Sequence, residues 1–99
     1  MPSATRTTAM IEPREAHPLV HTWSEGPAFH LDVRELLESG GEPYVYIMDC
    51  VNQIGPGETL VVHALFEPKP LIAQVTRMGF RTRCERVDAD HWALTIAPE

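Results

Sequence analysis

Two acid-proline steps, Glu42-Pro43 and Glu67-Pro68, constrain this chain more than anything else in it. Proline at the first helical position gives up only an N–H that has no partner there, and a carboxylate beside it sits at the positive end of the helix dipole. Each step therefore marks a helix start. Behind the first, Ile47, Cys50, Val51 and Ile54 recur at helical spacing, which predicts a helix over 43–54 broken by Gly55-Pro56-Gly57. Behind the second, Leu71, Ile72, Val75 and Met78 give the apolar stripe of another helix, closed by Gly79.

Strands fill the space between. Phe29, Leu31 and Val33 alternate with His30 and Asp32, as a half-buried strand does. An acidic loop ends in Ser39-Gly40-Gly41, and residues 58–65 form a second strand. Residues 80–87 and 91–97 flank the tight turn Asp88-Ala89-Asp90 as an antiparallel hairpin. The order is β-α-β-α-β-β. It implies an α/β (α+β) two-layer sandwich, a four-stranded mixed sheet with two helices on one face. Phe29, Leu31, Val33, Leu60, Val62, Ala64, Phe80, Cys84, Trp92, Leu94 and Ile96 should point inward. Residues 1–28 hold four prolines and no sustained periodicity, so they are expected to be an arm, mobile or laid on the domain, with Leu19, Val20 and Trp23 as its anchor. The domain proper is 29–97.

At 99 residues there is room for one core, and 43% hydrophobic with 22% charged residues is an ordinary globular balance. No apolar run is long enough to span a bilayer and no signal peptide is visible, so the expectation is a cytoplasmic protein with no membrane partner. Cys50 and Cys84 are too few for a disulfide framework and lack CxxC spacing, which agrees with a reducing compartment. The net charge of −6 argues against nucleic-acid binding. The cluster Arg77, Arg81, Arg83 and Arg86 reads as a solvated strand face near a helix end.

Leu31-Asp32-Val33-Arg34-Glu35, Gly41-Glu42-Pro43, Pro56-Gly57-Glu58 and Phe66-Glu67-Pro68-Lys69-Pro70-Leu71 occur in one order, and together they resemble the domain of unknown function 2249 over about residues 29–97. That family is similar to the TusA/SirA-like sulfur carriers, which share this element order and hold a persulfide on the cysteine of a Cys-Pro-x-Pro helix start. A helix N-terminus stabilises the thiolate such chemistry needs. Here the stretch reads Glu42-Pro43-Tyr44-Val45, and a carboxylate cannot hold a persulfide. The resemblance implies the scaffold without the sulfur-carrier activity.

The expected function is that of a non-catalytic binding or adaptor protein with no catalytic residue and no cofactor, engaging a protein partner or a ligand. Ligands of open α/β sheets sit at the carboxyl ends of strands, so the preferred edge carries Glu42, Pro43, Tyr44, Glu67, Lys69 and Arg34. One alternative is a sulfur-transfer or redox-related protein using Cys84 or Cys50, although both positions read as core. Another follows from strand alternation, which sets His30, Asp32, His63 and His91 on the face opposite the helices, where His30, His63 and His91 could share a metal ion. The ordinary reading of that face is a wet sheet surface carrying scattered polar residues. Val61, Leu65, Val87 and Ala93 should share it, a mixture suited to a homodimer through the open face.

Overall fold

A computed structural model of the protein describes residues 11–99. Its elements are β1 (His21–Glu25), β2 (Ala28–Asp32), α1 (Arg34–Glu38), α2 (Tyr44–Val51), β3 (Thr59–Ala64), α3 (Lys69–Arg77), β4 (Phe80–Asp88) and β5 (His91–Pro98). They form a mixed α+β fold. One sheet runs in the order β1-β2-β3-β5-β4, with β2 and β3 parallel and the β1-β2, β3-β5 and β4-β5 pairs antiparallel.

The sheet has five strands where the sequence predicts four. The additional one is β1, drawn from the segment read as an arm. Its five residues are all exposed, so it carries none of the apolar alternation that marks a strand. Backbone pairing holds it instead: His21 lies opposite Asp32 and Glu25 opposite Ala28, across a turn in which Gly26 takes a positive φ of 57°. The rest of the described arm is strapped along α2. The backbone N–H groups of Arg14 and Glu15 donate to Asp49 Oδ2 at 2.7 and 3.0 Å, Glu12 N donates to Gln53 Oε1 at 2.8 Å, and Ile11 is buried in the core. Residues 1–10 of the arm lie outside the described residues.

The stretch predicted as an acidic loop holds a short helix, α1. Asp32 Oδ1 accepts from Arg34 N at 3.0 Å, which supports its first turn, and buried Leu36 fixes it from below. Leu36 packs so closely under Gly41 that a Cβ there would collide with it. The helix predicted over 43–54 is shorter, Tyr44–Val51, because the chain turns at Asn52 and Gln53 ahead of the glycines. Ile54 still packs on the core from that turn.

Ile47, Cys50 and Val51 of α2 and Val75 of α3 share one core with Leu31, Leu60, Val62, Leu94 and Ile96. Both helices therefore lie on one face of the sheet. Strand register places Phe29, Leu31, Leu60, Val62, Ala64, Cys84, Trp92, Leu94 and Ile96 on that face, and the histidines on the other. Leu65 follows β3, and Val87 occupies the irregularity between Arg86 and Asp88, so neither is part of the regular open face. No helix among the described residues is long and apolar enough to cross a membrane.

Candidate functional site

Parallel β2 and β3 release their chains at the same end of the sheet, and the segments leaving them diverge to reach α1, α2 and α3. The gap between is a cleft of about 400 Å³, lined by Val33, Leu37, Val62 and Ala64 at its base and by Tyr44, Phe66 and Leu71 higher up. Tyr44 and Phe66 are about half exposed, at 48% and 53%. Pro43, Pro68 and Pro70 stiffen its walls and offer no backbone donor. Gln74 Nε2 donates to the Tyr44 hydroxyl at 2.6 Å, tying α3 to α2 beside the cleft. Glu42 Oε1 accepts from the Tyr44 backbone N–H at 2.9 Å, so the carboxylate that stands at the helix start also caps it.

Of the residues expected at this edge, the structure brings Glu42, Pro43 and Tyr44 into the cleft. Glu67, Lys69 and Arg34 do not line it. Arg34 belongs to a separate polar depression with Asp32, His21, Glu35, Glu38, Leu65 and Asp90. There its guanidinium donates to both Asp32 oxygens, at 3.0 and 2.8 Å. Burial pushes the Asp32 carboxyl up, but the hydrogen bonds and charge of Arg34 outweigh it and hold the group below the usual carboxylate range. Phe66 and Gln74 were missed by the sequence reading. Phe66 directly precedes the Glu67-Pro68 step and is placed by it.

Neither cysteine has the surroundings of a reactive thiol. Cys50, on the buried side of α2, is wholly buried, and burial with the nearby Asp49 charge pushes its thiol up to about 12. Cys84 is half-buried on the helix side of β4, raised by burial and then by the charges of Glu67 and Glu85. The arginines do not form one patch either. Arg81 and Arg83 face the open side with Arg83 against Glu85 at 3.3 Å, whereas Arg86 lies on the helix side, 5.9 Å from the Trp92 ring centre.

The open face gathers the three histidines. His30 Nδ1 is 2.9 Å from His63 Nε2, and His63 Nδ1 is 2.8 Å from His91 Nε2. Glu25 Oε1 lies 2.8 Å from His30 Nε2. Trp23, directly opposite His30 in the β1-β2 register, stacks on His30 at 4.8 Å and on His63 at 5.2 Å between ring centres. His63 is only 8% exposed, and burial pulls its pKa down to about 4 even though the Asp32 charge acts the other way. The ring nitrogens follow one another in a line, and among the described residues no three His, Cys, Asp or Glu side chains are arranged to hold a metal ion. The sequence reading took Trp23 as an anchor of the arm and passed over Glu25, because β1 carries no strand pattern.

No curated protein and no solved structure was found to match the chain. Residues 30–98, from the second residue of β2 to the last of β5, match the family model described as an uncharacterized conserved protein, DUF2249. That span includes both helix starts, the cleft and all three open-face histidines, and the chain belongs to the DUF2249 family.

Proposed function

We propose that this chain is a non-catalytic binding module, and that the cleft between α2 and α3 receives a neutral apolar group, carried by a small ligand or by a side chain of a partner protein. The observation behind this reading is the cleft itself: about 400 Å³ at the carboxyl ends of two parallel strands, walled by apolar side chains and three prolines, with few polar groups. The resemblance to the TusA/SirA-like sulfur carriers would put their cysteine at this same helix start. Here Glu42 supplies a carboxylate engaged with the helix backbone, which offers surface and no nucleophile. The raised thiols of Cys50 and Cys84 support the same reading.

The neutral dye Nile red tests it. Saturable one-to-one fluorescence enhancement is expected with the native protein. Leu71→Trp, which fills the cleft from α3, should weaken binding at least tenfold, and Phe66→Ala should weaken it severalfold. Non-saturable binding, or binding indifferent to Leu71→Trp in a variant with an unchanged circular dichroism spectrum, would remove the cleft from consideration.

A further inference from the structure

β1 and β4 are the two edges of the sheet, and they are built differently. An edge strand offers unpaired N–H and C=O groups, and proteins block such edges with basic side chains, proline or a bulge. β4 carries Arg81, Arg83 and Arg86, and its pairing with β5 slips between Arg86 and Asp88. β1 reads His-Thr-Trp-Ser-Glu: it holds no lysine, arginine or proline, and its pairing with β2 runs without a break. All of its residues are exposed, and among the described residues no backbone group pairs with its outer side. Trp23 is 40% exposed there, one of the large apolar side chains that the fold leaves uncovered.

The residues of β1 are complementary to themselves in reverse. Laid antiparallel against a second copy and centred on Trp23, the strand sets His21 opposite Glu25 of that copy, Thr22 opposite Ser24, and Trp23 opposite Trp23. Opposite charges, hydroxyl pairs and aromatic pairs are cross-strand combinations that stabilise antiparallel strands. Moving the centre to Thr22 or Ser24 sets Trp23 against His21 or Glu25, loses both charge pairs and leaves part of each strand unmatched. Residues directly opposed in an antiparallel pair point to one side, so in the Trp23 register both open faces lie together. The aromatic row Trp23, His30, His63 and His91 of one copy then continues into that of the other. Its charged ends are available for this. His21 meets Glu35 through Nε2 and Glu25 meets His30 through Oε1, which leaves His21 Nδ1 and Glu25 Oε2 without partners among the described residues, on side chains 53% and 69% exposed.

We propose that β1 is a self-recognition edge, through which two copies of this chain pair antiparallel about a twofold axis and join their sheets into one. The seam is short, five residues from each copy, so the association belongs to the weak end of specific interfaces and is governed by concentration. None of the residues lining the cleft belongs to β1, so the pairing leaves that site open and stands or falls independently of it.

Sedimentation velocity of the full-length chain from micromolar to millimolar concentration tests this, together with 15N-amide shifts over the same range. Reversible dimerisation is expected, with the concentration-dependent shifts concentrated at Thr22, Trp23 and Ser24. His21→Glu sets two like-charged pairs across the seam and should raise the dimer dissociation constant about tenfold, and adding Glu25→Lys should restore it. Both positions are exposed on the edge strand, so the core is untouched, and unchanged amide exchange at β1 verifies that the strand stays paired with β2. A monomer at every concentration overturns the proposal, as does a dimer indifferent to His21→Glu. So does a dimer whose shifts fall on β4 or on Val61, Ala93 and Thr95, which would move the contact to the other edge or to the open face.

Discussion

His63→Gln is the substitution that best separates the electrostatics of the open face from its packing. Glutamine offers an amide N–H for His30 and a carbonyl for His91, so both neighbours keep a partner while the titrating group disappears. In wild type, His63 has a folded pKa of about 4 against the ordinary 6.5. Between those values the unfolded chain takes up a proton that the folded chain refuses, so folding stability must fall as pH falls from about 6.5 to about 4 and be fully present above it. At about 1.4 kcal/mol for each pH unit, the gap corresponds to about 3 kcal/mol, a large share of the stability of a small domain. Asp32 acts in a different window: its carboxyl is held below the usual range, so its contribution is present above pH ~4 and is lost only as the carboxyl protonates in stronger acid. Urea unfolding of both proteins at half-unit steps from pH 8 to pH 4.5, at constant ionic strength, isolates the His63 part as the difference between the two stability curves. That difference should narrow by roughly 2–3 kcal/mol across the range. Parallel curves would refute the reasoning, because His63 would then titrate alike in the folded and unfolded chains.

The native protein should leave both cysteines unmodified by iodoacetamide at pH 7.5 on a timescale that labels the denatured chain fully, as read by intact mass; rapid native labelling of Cys84 would revive a thiol function. Leu94→Ala, at a fully buried site between Val62 and Cys84, should cost about 2–5 kcal/mol in urea unfolding. Gly41→Ala drives a methyl group into Leu36 and should cost about 1–3 kcal/mol, with the loss concentrated in faster hydrogen exchange of α1.

What was legible in the sequence follows the range of the interactions responsible. Both helix starts are written in adjacent residues, Glu42-Pro43 and Glu67-Pro68, and the period-two alternation of Phe29, Leu31 and Val33 or of Trp92, Leu94 and Ile96 sorts side chains to the correct faces without any knowledge of strand order. β1 was illegible because nothing in His-Thr-Trp-Ser-Glu is apolar at every second position; it is a strand only because β2 offers it an unpaired edge. α1 escaped for a similar reason, since five residues carry too little periodicity and their first turn is supported by Asp32 from the preceding strand. At the expected edge the structure has a cleft, lined by Glu42, Pro43 and Tyr44 and not by Glu67, Lys69 or Arg34. Glu42 and Glu67 each precede a proline at a helix start, yet only Glu42 lines the cleft.

The two faces of this sheet solve opposite problems, and that difference bears on where function lies. The helix-bearing face buries Leu60, Leu94 and Ile96 completely and leaves a gap of about 400 Å³ where α2 and α3 separate, so any ligand there would meet an apolar wall. Among the described residues no helix covers the open face, yet it holds a histidine that is 8% exposed. A buried imidazole without partners would cost about 1–3 kcal/mol for each unmet polar group. His63 avoids this because one strand on each side supplies a ring nitrogen at hydrogen-bond distance and Trp23 supplies the cover. Alternation alone could put the three histidines on one face, but the in-line meeting of their nitrogens depends on β3 lying between β2 and β5, a property of strand order. Reducing the row to a wet polar surface would require His63 to be solvated, and Trp23→Ala provides that condition: it should raise the His63 pKa toward 6.5 and lessen the acid-dependent loss of stability, whereas an unchanged His63 titration would assign the burial to β2 and β5 alone.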